Sequence, residues 1–393
     1  MAVIIAFFCG YLILLFFRLK QFYCFSVMVL TNFGHLIGMI LFWVCFLYIG
    51  SDSFTYFNKA SNAYGFHQST ILILWIVYWL RQLIFGDSYL GVTSFFMLFG
   101  FLGSLLYFVI FCELLKVIEN KRANLWTKQK QWYGLLVACW PSSLFWLSSI
   151  GKDALCYFFI ALFFLSLIKI KRHVGYIIFL IFSAIGAYLV RPYLFLIAGF
   201  AFVFWLIFSS NRRLNLLQKG ILCFILAYLF ISLSYDISQF GSFSYNFDSI
   251  IDRATLQQSY LSSGTHIQMS PSRHILFVFF LPIAMLENLV FPLFFGVHNF
   301  IGLVASIENL ALVFFLLNFL KHLPYWKELK KQIPIFSYMF WFFIVGIGFL
   351  GMINTNLGLA SRQKLMYLPL FLIAIFLTFI FRKTTHNNSN FSD

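Results

Sequence analysis

The chain of 393 residues is 62% hydrophobic and 10% charged, and its formal net charge is +15. Apolar runs recur from Ala2 to Phe381, which is typical of a bundle of membrane-spanning helices. No soluble basic segment carries the positive charge, so the composition excludes a nucleic-acid-binding protein and leaves loop asymmetry across a membrane as the explanation.

The cysteines and the short motifs exclude further classes. All seven cysteines lie within apolar runs, without a C-x-x-C or Cys/His pattern, so neither a disulfide framework nor a zinc site is indicated. The sequence lacks Walker-type, G-x-G-x-x-G, H-E-x-x-H and G-x-S-x-G motifs, which removes nucleotide-binding, zinc-protease and α/β-hydrolase interpretations. We therefore expect no metal and no cofactor.

The positions of Lys and Arg predict the topology. Six clusters, at 18–20, 116–130, 169–172, 212–219, 321–331 and 382–383, hold 19 of the 27 basic residues. Basic loops concentrate on the cytoplasmic side, so these clusters mark the inner face. The chain is then an all-α polytopic bundle, with its N-terminus outside and its C-terminus in the cytoplasm. The predicted eleven spans lie at approximately 2–17, 27–49, 91–115, 132–149, 154–168, 174–190, 194–209, 220–235, 298–318, 333–353 and 365–381.

Two further apolar stretches, Ser69–Phe85 and His274–Phe295, do not fit as crossings, because counting either one would place a basic cluster outside. We predict that they are re-entrant or interfacial helices at the outer face. One transmembrane domain then covers 1–383, followed by a disordered cytoplasmic tail over 384–393. The outer loops are predicted at 50–90, 151–153, 191–192, 236–297 and 354–364. Eight basic residues remain on this side and need a reason: Lys59, Arg81, Lys152, Arg191, Arg253, Arg273, Arg362 and Lys364.

The stretch from Trp140 to Asp153 ends in an adjacent cation and carboxylate, Lys152 and Asp153. The next predicted span, 154–168, is shorter than the roughly 20 residues of a full crossing, so this turn is expected below the outer surface, at the depth of lipid phosphates. A charge costs roughly 3 kcal/mol on insertion scales, and we interpret the pair as a site in which Asp153 orients Lys152. A surface turn with an incidental ion pair is the alternative.

Arg191 precedes Pro192 and Tyr193, which favours an extended Arg191 and a helix that begins at Pro192. The guanidinium is therefore expected on a stiff corner at the outer interface, one short hairpin away from Lys152. Its planar fork suits bidentate binding of phosphate. Snorkelling to lipid head groups is the alternative.

Asp52 begins the first large outer loop, directly after the second predicted span. A carboxylate there can act as a general base on a sugar hydroxyl. It can equally start a helix that runs toward Ala60, because Asp and Ser are both good helix caps. The two roles are compatible.

The later outer loops supply candidate substrate-binding residues. The loop from Asp236 to Arg273 is rich in Ser, Tyr and Gln, and contains Arg253 and His266. Such hydroxyl-rich segments suit carbohydrate recognition, although exported loops in general share this composition. Arg362 lies just ahead of the last span. Within a span, the polar residues Glu308, Asn309 and Asn318 are interpreted as serving helix packing.

Three short motifs carry a resemblance: Pro141-Ser142-x-x-Phe145-Trp146-x-Ser148-Ser149-x-x-Lys152-Asp153, then Arg191-Pro192-Tyr193, then Asn-x-Gly-x-x-x-Arg from Asn356 to Arg362. With these the chain resembles polytopic proteins of bacterial surface-polysaccharide loci, namely repeat-unit polymerases and the broader C-type (GT-C) membrane glycosyltransferases. The resemblance implies a GT-C-like fold, a location in the bacterial cytoplasmic membrane and a polyprenyl-diphosphate-linked glycan as substrate.

The resemblance also implies roles for particular residues. In C-type enzymes the usual base is an acidic residue early in the first outer loop, and Asp52 occupies such a place, whereas the usual acidic pair is absent. In the polymerases, arginines of outer loops serve the lipid diphosphate, and Arg191 and Arg362 match that pattern.

We therefore expect an enzyme, a membrane glycosyltransferase that polymerises O-antigen or capsule repeat units on their lipid carrier. Its expected partners are the lipid-linked oligosaccharide, membrane lipid and the polysaccharide assembly machinery. The expected catalytic residues are Asp52, Lys152, Asp153 and Arg191, and the expected substrate-binding residues are Tyr193, Arg253, His266, Arg273 and Arg362.

Three alternatives remain open. The first is a GT-C transferase that adds one sugar from a polyprenyl-phosphate donor. The second is a non-enzymatic flippase for the same lipid-linked glycan, and the third is a structural or assembly subunit. A flippase should carry charges near the midplane and often has paired halves. Here the unexplained cations lie at the outer ends of helices, which favours the enzyme.

Overall fold

A computed structural model describes residues 2–17, 19, 22–47, 51–61, 66–118, 128–208, 220, 274–293, 300–353 and 357–389. Every regular element in these ranges is helical, so the all-α class is confirmed for the part of the chain that the structure describes. The chain divides into two compact units, Met1–Phe195 with Phe376–Asp393 and Leu196–Ile375. The prediction that residues 1–383 form a single transmembrane domain is not tested by this division and stays a prediction.

Nine helices lie wholly within the described part of the first unit: α1 (Ala2–Phe16), α2 (Phe22–Phe46), α3 (Asp52–Lys59), α4 (Thr70–Leu80), α5 (Tyr89–Ile118), α6 (Lys128–Ala138), α7 (Pro141–Trp146), α8 (Lys152–Lys169) and α9 (Tyr176–Val190). A π-helical turn, Arg81–Phe85, follows α4. The next helix, α10 (Tyr193–Phe208), begins in the first unit and continues into the second.

The described part of the second unit contains helices α11 (His274–Val290), α12 (Phe300–Lys321), α13 (Leu323–Gln332), α14 (Pro334–Ile353) and α15 (Leu357–Gln363). A 3₁₀ turn, Lys364–Met366, separates α15 from α16 (Leu368–Ser389). The ring of Phe343 on α14 stacks on Phe371 of α16 with centroids 4.0 Å apart, which joins two of these helices by an aromatic contact.

Four helices of the described chain are long and apolar enough to cross a membrane: Tyr23–Phe46, Tyr89–Ile118, Gly302–Lys321 and Pro334–Gly351. A fifth span results if Leu359–Met366 and Leu368–Arg382, which are bent by 60°, count as one. The chain is therefore a helical membrane protein by composition and helix length. The predicted count of eleven spans stays a prediction, and the predicted span 220–235 lies outside the described residues apart from residue 220.

Two boundaries differ from the sequence-based prediction. The predicted span 132–149 is divided into α6 and α7, because Pro141 has no N–H to continue α6 and instead opens a new helix at its first position. Neither piece is long enough to cross a membrane alone. The last helix also continues to Ser389, beyond the start of the predicted disordered tail at 384, because extending a nucleated helix costs little.

Both predicted interfacial stretches begin as helices. Ser69–Phe85 contains α4 and its π-helical turn, and His274–Phe295 contains α11, which ends at Val290 with Pro282 inside it. Both are among the shorter apolar helices of the described chain, which suits the prediction that they do not cross. Their orientation to a membrane stays a prediction.

The broken helix α7 packs closely between α2 and α5 because glycines face it. A Cβ atom at Gly38 of α2 would lie 2.0 Å from the carbonyl oxygen of Leu144, and one at Gly100 of α5 would lie 2.6 Å from the carbonyl oxygen of Leu147. Small residues allow the backbones of membrane helices to approach in this way. The non-helical segment 147–151 is thereby buried within the protein, where its polar groups need protein partners.

Hydrogen bonds with His35 and Ser53 satisfy part of this segment. The Ser148 hydroxyl donates to the Leu144 carbonyl oxygen at 2.7 Å, so it accepts the 2.8 Å bond from His35 Nδ1. His35 Nε2 then accepts from the Ser104 hydroxyl at 3.1 Å. Further along, the Ile150 N–H donates to Ser53 Oγ at 3.0 Å. The segment is therefore tied to α2, α3 and α5, which fixes the position from which α8 starts.

Candidate functional site

The first unit brings four short segments together at the start of α8. Ser53 on α3 accepts the Ile150 N–H, two residues before Lys152. Lys152 Nζ donates to Ser69 Oγ at 2.9 Å, and the Ser69 N–H donates to the carbonyl oxygen of Leu189 at 2.8 Å. Leu189 lies two residues before Arg191. These contacts connect α3, the loop before α4, the start of α8 and the corner between α9 and α10.

Asp153 and Arg191 form a buried ion pair at the centre of these segments. Their side chains are 2% and 9% exposed, and Arg191 Nη2 donates to Asp153 Oδ1. The sequence analysis assigned Asp153 to orient Lys152, which stays a prediction, and the structure pairs Asp153 with Arg191, 38 residues along the chain. The physical reason is that a buried carboxylate gains most from a guanidinium held rigidly in reach.

The corner at Arg191 has the conformation that Pro192 predicts. Arg191 has an extended backbone, with φ −144° and ψ 94°, directly after α9. Its Nη1 donates to the Tyr193 hydroxyl, and its Cζ lies 5.8 Å from the Tyr193 ring centroid. Burial lowers the pKa of Arg191, but Tyr193 and Asp153 raise it more, so the pKa lies above its ordinary value and the guanidinium stays charged.

The guanidinium of Arg191 has an N–H donor that makes no hydrogen bond among the described residues. Its Nε is buried and makes no hydrogen bond to any described residue. An arginine carries five N–H donors in a planar fork, and the structure assigns one each to Asp153 and Tyr193. A buried donor left unsatisfied costs free energy, and such a group calls for a specific explanation, of which a bound ligand is one.

Asp52 is the first residue of α3, which runs to Lys59, so the helix predicted from Asp52 toward Ala60 is present. The residue in the N-cap position is Ser51, and Asp52 follows it in the first turn, where a carboxylate interacts favourably with the helix dipole. Asp52 is exposed, and its neighbour Ser53 is the residue that contacts Ile150. The side chain thus lies on the element that docks onto the start of α8.

The second unit holds one of the predicted binding residues. Arg362 is half-buried near the end of α15, just before a 3₁₀ turn that contains Lys364. Lys364 is 3% exposed and donates to the Leu289 carbonyl oxygen at 3.1 Å and to Asn309 Oδ1. A cation that binds a carbonyl in the last turn of α11 has a structural reason. Arg253, His266 and Arg273 lie outside the described residues.

Arg81 has a similar structural explanation. Its Nη1 donates to the Phe57 carbonyl oxygen at 3.0 Å, it pairs with Asp87, and its Cζ lies 4.6 Å from the centroid of the Phe57 ring. Of the eight outer cations that needed a reason, Arg81 and Lys364 therefore join helices of their own unit. Among the outer cations that the structure describes, Lys152 and Arg191 lie on segments that contact each other through Ser69.

Sequence reasoning missed several polar residues that the structure makes prominent. Ser53 and Ser69 lay in a predicted loop without a motif, and His35 lay in an apolar run. Glu113 is buried at the far end of α5, where Lys116 approaches at 2.8 Å and Arg172 at 3.3 Å, with Lys169 as a third partner. One signal was available, because Glu113 and Lys116 are three residues apart and share a helix face.

Comparisons of this chain with protein families, with curated proteins and with solved structures gave no match. The class that the fold defines, a helical membrane protein with a buried ion pair at the start of α8, comes from the described residues alone.

Proposed function

We propose that this chain is a membrane glycosyltransferase that binds the phosphate of a polyprenyl-diphosphate-linked glycan at the Lys152–Asp153–Arg191 corner and polymerises repeat units of a surface polysaccharide. The observation that carries the proposal is the buried Arg191 guanidinium, whose Nε has no hydrogen-bond partner among the described residues. A phosphate oxygen is an acceptor that matches this planar fork.

The charge at the corner supports an anionic ligand. Lys152 and Arg191 contribute two positive charges and Asp153 one negative charge, so these three side chains together carry a net positive charge. Asp153 holds one edge of the guanidinium through Nη2, which fixes the direction of the remaining donors. A cation that is fixed before the ligand arrives loses little entropy on binding and stabilises developing negative charge without reorganising.

The proposed reaction forms a bond between an acceptor hydroxyl oxygen and the anomeric carbon, and breaks the bond from that carbon to the lipid diphosphate. The leaving diphosphate keeps the bonding electrons, and Arg191 and Lys152 stabilise that charge. The proton of the acceptor hydroxyl goes to a carboxylate. Asp52 fits this role because it is exposed and lies on α3, which docks next to Lys152.

The test compares Arg191→Ala, Arg191→Lys and Lys152→Ala in cells that make the polymer. Loss of one charge-stabilising donor typically lowers a rate by about 10²–10³-fold, so each alanine variant should make little or no long polymer. Arg191→Lys keeps the charge and loses the fork, and we expect it to fail as well. Arg81→Ala is the matched control, since the described contacts of this outer cation are with Phe57 and Asp87 and not with the Lys152–Asp153–Arg191 corner.

The proposal is wrong if the Arg191 and Lys152 variants, present in the membrane at the wild-type level, still make polymer of full length. An Arg81→Ala strain that loses polymer equally would show that any cation lost from the outer face has this effect, and would remove the support for a specific corner.

A flippase for the same lipid-linked glycan is a second candidate, favoured by one feature of the second unit. There the buried Lys364 lies where Leu359–Met366 and Leu368–Arg382 are bent by 60°. Interrupted helices with a charged residue at the break are typical of transport sites. Lys364→Met separates the candidates, because it should abolish export of the lipid-linked glycan if the chain is a flippase.

A further inference from the structure

Ser69 has a strained backbone. Its φ is 64° and its ψ is −123°, and it is the one non-glycine residue with positive φ in the part of the chain that the structure describes. A side chain at such an angle is unfavourable, and glycine would adopt it without strain. Strain of this kind persists only where surrounding contacts hold it, and it concentrates at functional sites.

The Ser69 hydroxyl does not cap the helix that follows it. Ser69 precedes α4 in the N-cap position, where a serine normally accepts a hydrogen bond from its own helix, yet it makes no such bond. Its Oγ accepts instead from Lys152 Nζ at 2.9 Å. The helix thus forgoes a cap while the hydroxyl binds a cation 83 residues away along the chain.

The backbone of Ser69 contacts a second element. Its N–H donates to the Leu189 carbonyl oxygen at 2.8 Å, in the last turn of α9, two residues before Arg191. One residue therefore contacts Lys152 through its side chain and the Arg191 corner through its main chain. We propose that Ser69 is a positioning residue that fixes the Lys152 ammonium relative to the Arg191 guanidinium.

This inference rests in part on the proposed function. A diphosphate presents its two phosphates at a fixed spacing, so two cations serve it best when their separation is also fixed. Lysine has a flexible stem with several rotatable bonds, and its ammonium needs an anchor to hold one position. The hydroxyl of Ser69 supplies such an anchor through an uncharged oxygen.

A simpler interpretation is that Ser69 only joins the loop before α4 to α9. Two variants distinguish the interpretations, because both lack the hydroxyl and only one relieves the strain. Ser69→Gly removes the steric strain of the positive φ angle, and Ser69→Ala keeps that strain. If Ser69 positions the Lys152 ammonium, both variants should make the Lys152 side chain more mobile. Only Ser69→Gly should keep or raise the stability of the fold.

The primary experiment measures how fast Lys152 is acetylated in the full-length protein, purified in detergent, with exposed Lys59 as the internal reference. Mass spectrometry gives both rates. We expect Ser69→Ala and Ser69→Gly to raise the ratio of the Lys152 rate to the Lys59 rate about fivefold, the factor for loss of one hydrogen bond. Ser183→Ala is the matched control, since the Ser183 hydroxyl donates only to the Leu180 carbonyl oxygen of its own helix in the described contacts, at 2.9 Å.

Thermal unfolding and polymer synthesis complete the test. Ser69→Gly should melt at or about 1–3 °C above the wild type, and Ser69→Ala should not gain. An unchanged Lys152 rate in both Ser69 variants would overturn the inference. A faster Lys152 rate with polymer of normal length would keep Ser69 as the anchor of Lys152 and overturn the role of Lys152 in the proposed function.

Discussion

At the scale of single residues, the two outer carboxylates of the first unit have opposite environments. Asp153 is 2% exposed and paired with the buried Arg191, whereas Asp52 is exposed at the start of α3. Removing one partner of a buried ion pair leaves an uncompensated charge, which is far more costly than changing an exposed residue. The same substitution should therefore have different effects at the two positions.

We predict that Asp153→Asn lowers the free energy of unfolding by about 3–5 kcal/mol, because Arg191 then stays buried without its counter-charge. Asp52→Asn should lower the free energy of unfolding by less than about 1 kcal/mol, because only the interaction of an exposed carboxylate with the helix dipole is lost. It should abolish polymer synthesis, because the base is removed. Denaturation of the purified proteins, together with the length of polymer from each strain, measures both effects. Normal polymer from an Asp52→Asn strain would remove Asp52 as the base.

His35 shows how a single residue serves a whole segment. It is fully buried and bonds to Ser148 and Ser104 through its two ring nitrogens. Each bond reaches a different element, so the imidazole links α2 and α5 to the segment that follows α7. Burial of such a polar group is tolerated because both nitrogens have partners.

At the scale of elements, α7 is the piece on which the site depends. It is six residues long, and its two ends are a proline break and the buried segment 147–151. A helix of this length has little stability of its own, so packing against α2 and α5 must hold it. The two close approaches at Gly38 and Gly100 leave no room for a side chain.

Gly38→Ala should therefore destabilise the protein by about 1–3 kcal/mol, because the added methyl group meets the Leu144 carbonyl oxygen and the backbones must separate. Gly199→Ala is the control, because a Cβ atom there meets nothing within 4 Å and alanine favours the helix. Thermal unfolding of the two variants checks the difference. Equal melting temperatures would contradict close packing of α7.

At the scale of the first unit, α8 connects two charged ends. It starts with Lys152 and Asp153 and ends at Lys169, which binds Glu113. Its 18 residues span about 27 Å at 1.5 Å per residue, close to the roughly 30 Å of a hydrocarbon core. The Glu113 cluster belongs to the basic face that the sequence predicts to be cytoplasmic. The Arg191 corner is at the opposite end of α8, as the predicted topology requires.

The topology can be tested by labelling single cysteines in a cysteine-free background. We predict that Asn58→Cys, exposed on α3, reacts with an impermeant reagent in intact cells. Val174 is 73% exposed and lies five residues after Lys169. We predict that Val174→Cys reacts only after the inner face is opened. The reverse pattern would invert the orientation of the first unit and place the proposed site in the cytoplasm.

The sequence by itself determined the features that depend on local chemistry. Composition determined the helical membrane class, and Pro192 determined the extended corner at Arg191. The helix that begins at Asp52 was also predicted from its sequence, and in the structure the side chain of the N-cap residue Ser51 makes no capping hydrogen bond. Each of these depends on residues within a few positions of one another, where propensity and steric rules act directly.

Only the tertiary structure decided which polar groups meet. Asp153 pairs with Arg191 across 38 positions, Lys152 binds Ser69 across 83 and Ile150 binds Ser53 across 97. A polar residue in an apolar run has many chemically suitable partners along the chain, and its choice follows from how the helices pack. The positions of Gly38 and Gly100 set that packing by letting α7 approach, so the partners of the site residues are a consequence of helix contacts that no local pattern encodes.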